Sequence, residues 1–451
     1  MVRLGCCKEG TSRVLFGSCN KAEWEQPLWP HVLARQPDVW IWGGDNIYGD
    51  HVEPSWPKSH FAPADAPRLR RLYHKQLQVP GYQRLLNSQA LLLATWDDHD
   101  MGLNDGDCTY PHRNSSQAAF LDFIGEPADS PRRRQRGVWA ARRVDFGSAD
   151  RSVLVVLLDM RYHRDPYGTP DGDFLGEEQW RWLDETLAQS TAAVHVIVSS
   201  VQFLPDRSGL GENWFRFPGA RSRMLRLLAR HNVSAPIIIS GDVHFAEFNM
   251  GTCTGGQLLE VTSSGMTHSV GTRDPSQDTF FKRMELRTGM LLGQSFIPWR
   301  YQMLEPYTGA QQYYTGLNFG ELEFKWGERA VAVKILGEDG LPHMQRAFSL
   351  DSLGVGGAGE AGVLDFGPLR GEPSVWRVKL GFALALATPL LVMLSLLVCI
   401  GISIRRLVAS LLDRAPGKLE PESESESEHD SGLESNEQGR MMTPLRSGSH
   451  S

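Results

Sequence analysis

Residues 39–50 read VWIWGGDNIYGD, an apolar run that stops at two glycines and then presents Asp45, Asn46 and Tyr48. A run without polar alternation suits a strand covered on both faces, and Gly43-Gly44 lets the backbone turn sharply at its carboxyl end. In open α/β sheets that end is where ligands bind. The stretch therefore predicts an α/β chain in which a buried strand delivers ligands for a hard cation to one edge of a parallel sheet.

The pattern recurs. Residues 14–16 form a short strand that ends in Gly17-Ser18-Cys19-Asn20, 22–35 carry helical spacing, and Pro37-Asp38 break before the central strand. A right-handed crossover in this β-α-β opening puts Cys19 and Asp45 at the same sheet edge. After a helical stretch over 69–86, the apolar run 91–96 leads into Asp97-Asp98-His99-Asp100, whose acids repel one another unless a cation or solvent intervenes. Asn104, Asp105 and Asp107 continue that loop as turn or capping residues. Residues 152–158 run into Asp159-Met160-Arg161-Tyr162, an amphipathic helix starts at Gly176, and 194–199 make another strand. The strand 236–240 closes with Gly241-Asp242-Val243-His244, and in an extended segment Asp242 and His244 point to one side. A further strand with a polar loop covers 260–268, where His268 either meets substrate or is a surface histidine. Residues 318–324 alternate as an antiparallel edge strand does, and 280–314, rich in aromatic residues and Met, form core, a lid or a membrane-facing surface.

Each residue also has an ordinary reading. Cys19 alone suits an inert buried thiol, the acids at 97–100 suit a solvated turn, and Arg161 suits an ion pair with Asp159. Their recurrence at the ends of apolar strands favours one shared metal site. Carboxylates and Asn suit calcium, magnesium or manganese, whereas thiolate, phenolate and imidazole suit iron or zinc, so a mixed site is expected. Two cations bridged by one carboxylate fit phosphoester hydrolysis, because they lower the pKa of a bound water, clamp phosphoryl oxygens and neutralise developing charge.

The net charge of −7 is concentrated in residues 419–439, which hold eight acids and no Lys or Arg, so no basic surface points to nucleic acid. The six cysteines are too scattered for a disulfide framework. Lys8, Glu9 and Arg13 interrupt any secretory signal core. Residues 380–404 carry no charge over 25 residues and, at about 37 Å as a helix, predict one C-terminal transmembrane helix and a single-pass membrane protein. Arg377 and Lys379 before it and Arg405 and Arg406 after it give a slight preference for a cytosolic C-terminal tail. The expected organisation is a globular domain over 1–350, a Gly-rich linker over 351–379, the membrane helix, and a disordered acidic Ser/Glu-rich tail over 405–451 whose protein partners are left open.

The motifs GSCN, GGDNIYGD, WDDHD, LLDMR, SGDVH and EVTSSGMTHS, in this order over residues 12–347, resemble the alkaline phosphatase D (PhoD-like) branch of the calcineurin-like metallophosphoesterases. The resemblance implies a four-layer αββα sandwich, a site of two or more metals containing ferric iron and calcium, and hydrolysis of phosphomonoesters or phosphodiesters. It implies Cys19 and Tyr48 as iron ligands, Asp45 as bridge, and Asp97, Asp98, Asp242 and His244 as further metal ligands. His99 would face the substrate and protonate the leaving oxygen, Arg161 would hold phosphate, and Asn46 and His268 would bind substrate. Two departures stand out: WDDHD ends in Asp where bacterial members more often have Glu, and Ser199-Ser200 lie where other metallophosphoesterases offer a histidine. The expected function is a membrane-anchored, metal-dependent hydrolase of phosphate esters in which a metal-bound water attacks phosphorus. A phospholipid-directed phosphodiesterase and a catalytically silent membrane scaffold are the alternatives.

Overall fold

A computed structural model describes residues 2–3, 10–53, 60–205, 211–253, 256–271 and 313–356, together with helical residues 395, 398 and 400–408. The chain divides into two units, Met1–Ala385 and Leu386–Ser451. Both large sheets and the candidate site lie in the first unit.

Two sheets make its centre. One has six strands in the spatial order Pro342–Ser349, Ala330–Leu336, Phe319–Lys325, Thr11–Gly17, Val39–Gly43 and Leu91–Thr95. The last three are parallel, with Leu15 opposite Trp40 and Trp40 opposite Leu92, so their carboxyl ends share one edge as the β-α-β opening requires. The other sheet runs Val2–Arg3, Ala140–Asp145, Ser152–Leu157, Val194–Val198, Pro236–Ser240, Gly256–Ser263, Ala246–Cys253 and Tyr313–Tyr314. Its four strands from Ser152–Leu157 to Gly256–Ser263 are parallel.

Strand alternation sorts the core into layers. Val39 and Ile41 point between the sheets, where they meet Val14, Val155, Val196, Ile239 and Val261. Trp40 and Trp42 point the other way and pack with Trp29, Leu72, Tyr82 and Phe120 from the helices Trp29–Ala34, Ala66–Leu77, Pro80–Leu86 and Arg113–Phe123. The rings of Trp29, Trp40, Trp42 and Tyr82 lie 5.2–5.8 Å apart between centroids, which explains why VWIW carries no polar residue. On the far side Leu154, Val156 and Ile238 pack against Trp180, Leu183, Met224 and Leu228 of the helices Gly176–Ala188 and Pro218–Arg230. The result is the expected four-layer αββα sandwich.

Four expectations change. The crossover helix covers only Trp29–Ala34, because Pro27 has no backbone donor and restricts the residue before it. The helical stretch 69–86 is two helices, split where Pro80 holds Val79 extended at φ −64°, ψ 119°. Phe319–Lys325 is interior, paired on both sides with Thr11–Gly17 and Ala330–Leu336. Its alternating acids face countercharges instead of water: Glu321 lies 2.5 Å from Arg35 and 2.9 Å from Lys334, and Glu323 lies 2.7 Å from Lys334 and 2.9 Å from Arg13.

The transmembrane helix is the fourth correction. Among the described residues no helix is long and apolar enough to cross a membrane. The described helical residues 400–408 contain Arg405 and Arg406. The membrane-anchored form of the fold, and the membrane as a partner, are therefore not supported. Residues 380–394, the acidic tail beyond 408, most of the linker and the aromatic-rich stretch up to 312 lie outside the described residues.

Candidate metal centre

Strand ends from both sheets meet at one place. Cys19 follows Thr11–Gly17 and Asp45 follows Val39–Gly43; Asp242 and His244 follow Pro236–Ser240 in the facing sheet. All four have left-handed backbones, with φ of 62°, 49°, 70° and 58°. Such conformations cost about 1–3 kcal/mol each for residues other than glycine and persist where the surroundings fix them. The fixing bonds are visible: Asn20 N donates to Asp45 O at 2.8 Å, Met266 N to Ser18 O at 3.1 Å, and His244 N to Ser264 Oγ at 2.7 Å. Gly44, at φ 110°, is required by space as well, since a Cβ there would sit 2.9 Å from the Cβ atoms of both Asp97 and Ser200.

The left-handed turn also corrects the extended geometry expected of Asp242 and His244. His244 joins Cys19 and Asp45, with ligand atoms within 4.8 Å of one another, while Asp242 lies near enough to add to the burial that raises the Cys19 thiol and is itself raised by burial, Glu212, Asp97 and Asp98. In the first group Cys19 Sγ lies 3.6 Å from Asp45 Oδ2 and 2.9 Å from Ser264 Oγ. Tyr48 closes it, donating its hydroxyl to Asp45 Oδ2 at 3.1 Å and lying 2.9 Å from His244 Nε2. A second group, Asp45, Asp98 and His99, shares Asp45 with the first, and a third joins Asp98 to Asp105 and Glu212.

Arg161 is fully buried and sits between three acids. It pairs with Asp97, lies 3.6 Å from Asp98 and 2.5 Å from Glu212. Asp159 does not take the guanidinium. Its carboxylate accepts the backbone N–H groups of Arg161 and Tyr162 at 2.9 Å and of Val138 at 2.7 Å, shaping the loop. Ser200, where a superfamily histidine was missed, donates to Asp97 at 2.7 Å.

His99 is nearly buried, its Nδ1 donating to Asp50 at 2.6 Å and its ring 4.0 Å from that of Tyr48. Asn46 is buried with its amide donating to Thr95 O and Asp100, both at 3.0 Å. Asp100, the departing last residue of WDDHD, also accepts from Tyr73 at 2.9 Å and braces the loop. His268 is at the centre and not on an open surface: its ring lies 4.4 Å from His244 and 4.9 Å from Tyr48, and its buried Nε2 has no hydrogen-bond partner among the described residues.

The charges are unbalanced without a cation. Burial, then the nearby Cys19 and Asp98, push Asp45 well above the carboxylate range. Burial together with Glu212 and Asp97 does the same to Asp242. Burial lifts Asp97 to about 6 although Arg161 opposes it. For Asp98 burial is outweighed by Arg161 and His99, which bring it down to about 2. Burial would lower His99, but Asp98 and Asp50 raise it to about 9. Burial holds the Cys19 thiol at about 11 and depresses His244 to about 4. Asp45 Oδ1 and Asp97 Oδ2 are buried and accept no hydrogen bond among the described residues. Orphaned acceptors beside raised carboxylates fit cations, and the two donor sets fit a softer ion near Cys19, Tyr48 and His244 and a harder one near Asp98.

Glu212, Asp50 and Ser264 were not foreseen as site residues. Glu212 lies on a Gly-rich loop with no apolar strand before it, so the strand-end pattern could not reveal it. Asp50 and Ser264 stood inside quoted motifs, but nothing in their spacing shows that they hold His99 and Cys19.

An αββα sandwich that gathers acids, histidines, a thiol and a phenol at its strand ends defines a protein of the metallophosphoesterase class. Residues 14–252, more than half of the chain, match the PhoD-like phosphatases, and the chain belongs to that family of phosphoesterase enzymes. Alkaline phosphatase D of Bacillus subtilis (strain 168) is 27% identical over 266 residues, 51% of this chain and 45% of that protein, so the chain spans about half the length of this relative. A solved structure of PhoD shares the fold, with a TM-score of 0.54 at 15% identity over 76% of this chain and 69% of that one.

Proposed function

We propose that the chain hydrolyses phosphate esters at this centre, as an alkaline phosphatase or phosphodiesterase, with two or more cations held there. The observation that carries this reading is Asp45, whose carboxylate belongs to both the thiol–imidazole group and the acid–histidine group, as a ligand bridging unlike cations must. Cys19, Tyr48 and His244 would hold ferric iron, with zinc the alternative; Asp98, with Asp97 and Asp242 near it, would hold calcium, magnesium or manganese. Cations so held polarise phosphoryl oxygens and lower the pKa of a coordinated water.

The chain's own residues supply the rest. His99, fixed through Nδ1 by Asp50, keeps Nε2 for protonating the leaving oxygen. Arg161 acts through Asp97 and Asp98, keeping them ionised and oriented, since its buried guanidinium meets acids through Nε and Nη2. Asn46 holds the Asp45 loop against Asp100 and Thr95. His268 Nε2 has no hydrogen-bond partner among the described residues and suits a substrate oxygen.

The test is elemental analysis of the purified full chain beside hydrolysis of an aryl phosphate monoester and diester, with Asp45→Asn as control. Bound iron and calcium, with turnover lost in the variant, is the expected result. Folded protein that takes up neither metal and stays inactive after both are added overturns the reading and leaves a non-catalytic role.

A further inference from the structure

A cavity of about 230 Å³ opens beside the centre, lined in part by Lys21, Trp24, Tyr48, Val52, Phe61 and Arg68. Tyr48 belongs to both the cavity and the centre, and Asp50, which holds His99, also lines the cavity. An alcohol that leaves with a proton from His99 therefore departs on the side where this cavity lies.

The lining says what that alcohol is. Trp24 meets His268 at 5.7 Å and Phe61 meets His99 at 6.1 Å, while Tyr48 packs on both histidines at 4.9 and 4.0 Å, so the two outer rings flank Tyr48. Phe61 is 41% and Val52 55% exposed, two of the few large apolar side chains left open among the described residues of the globular unit. Aromatic walls favour a flat ring. The volume suits one ring and falls below the roughly 300–1,000 Å³ of sites for larger ligands. Lys21 Nζ stands 4.3 Å from the Trp24 ring centroid and 5.1 Å from that of Tyr48, at the border where the anionic phosphate of a bound ester would meet its organic part. Among the other charged groups in the lining, Asp50 is committed to His99 and to Asn104 N, Glu23 lies 4.0 Å from Lys75, and Arg68 donates to Gly49 O.

We propose that this cavity is the leaving-group subsite, that it selects esters whose alcohol carries one uncharged aromatic ring, and that Lys21 is a positioning residue for the ester's phosphate. The inference rests on the hydrolase reading and is tested so that the two can fail separately. Benzyl and ethyl phosphate release alcohols of similar acidity, so their ratio of kcat/KM in the full chain loaded with iron and calcium reports recognition of the ring. A benzyl preference of about tenfold is expected, with Trp24→Ala and Phe61→Ala each shrinking it severalfold through KM. Lys21→Gln raises KM for both esters, and Lys21→Arg recovers part of the loss. Equal kcat/KM for the two esters, or a preference that neither aromatic variant moves, overturns the subsite. Calorimetric titration with benzylphosphonate, which cannot be hydrolysed as an ester, supplies the second readout. Binding that Phe61→Ala weakens supports the cavity even where no ester turns over, and absence of binding overturns it.

Discussion

His99 is gripped from two directions, by the Asp50 carboxylate on Nδ1 at 2.6 Å and by the face of Tyr48 at 4.0 Å between ring centroids. A ring so fixed cannot turn to exchange its nitrogens, and the one facing the centre is available to a leaving oxygen. If that proton matters, its loss is felt most where the leaving alcohol is a strong base. His99→Asn is expected to lower kcat/KM on ethyl phosphate by about 10²–10⁴-fold and on 4-nitrophenyl phosphate far less, since nitrophenolate departs without a proton. A leaving-group series on wild type and variant measures it, and parallel slopes would remove His99 as the acid. The residues that the sequence could offer were those placed immediately after apolar strands, Cys19, Asp45, Asp98 and His244, because a strand's end fixes where they stand. Asp242 shows the limit of the same reasoning. Period-two alternation holds only while the backbone is extended, and with φ of 70° at Asp242 and 58° at His244 it is not.

His195 shows how an element can be tied together by a neutral imidazole. It lies in the buried strand Val194–Val198, with Nδ1 2.8 Å from Ser234 O and Nε2 2.8 Å from Ser190 Oγ, so one ring links the strand to the segments leading in and out of its neighbours. Burial, with Arg143 adding to it, depresses its pKa below the ordinary 6.5. The folded protein therefore resists a proton that the unfolded chain accepts, and the stability owed to the neutral ring is complete above pH 6.5 and lost as pH falls toward the lower folded value. Urea unfolding of the wild type from pH 7.5 down to 5 is expected to show this decline, and His195→Gln, less stable at pH 7.5, should show a shallower one. Equal slopes would place the acid sensitivity elsewhere. Elements were the most legible level of the fold, because two-sided burial leaves uninterrupted apolar runs such as 236–240 and 152–157. What misled was charge: Glu321 and Glu323 alternate as solvent-facing acids do, yet Arg35, Lys334 and Arg13 meet them inside a central strand, and no local pattern announces that Arg13 and Arg35, some 300 residues away, are two of the three partners.

The centre is also a seam between the two sheets. Cys19, Asp45, Asp97 and Asp98 arrive on the six-stranded sheet, whereas His244, Asp242, Ser200 and Arg161 arrive on the eight-stranded one. Between them Arg161 opposes the acids at 97, 98 and 212, helped by His99 at Asp98 and by Arg164, 3.9 Å from Glu212, and Asp45 and Asp242 are left with pKa values pushed well upward by burial and by their neighbours. Cations bound across the seam would join the sheets and relieve this repulsion together, so their binding energy would be stability of the whole sandwich. Stripping the metals with a chelator is accordingly expected to lower Tm as one cooperative transition, with restoration on adding iron and calcium. In the stripped protein Asp242→Asn removes one repelling charge and should raise Tm by about 2–4 °C for each kcal/mol of relief, while gaining less than the wild type when metals return. Differential scanning calorimetry of both proteins, stripped and loaded, decides it. A variant that loses Tm in the stripped state would mean that Asp242 holds the seam by protein contacts and that its charge is not what the cations answer.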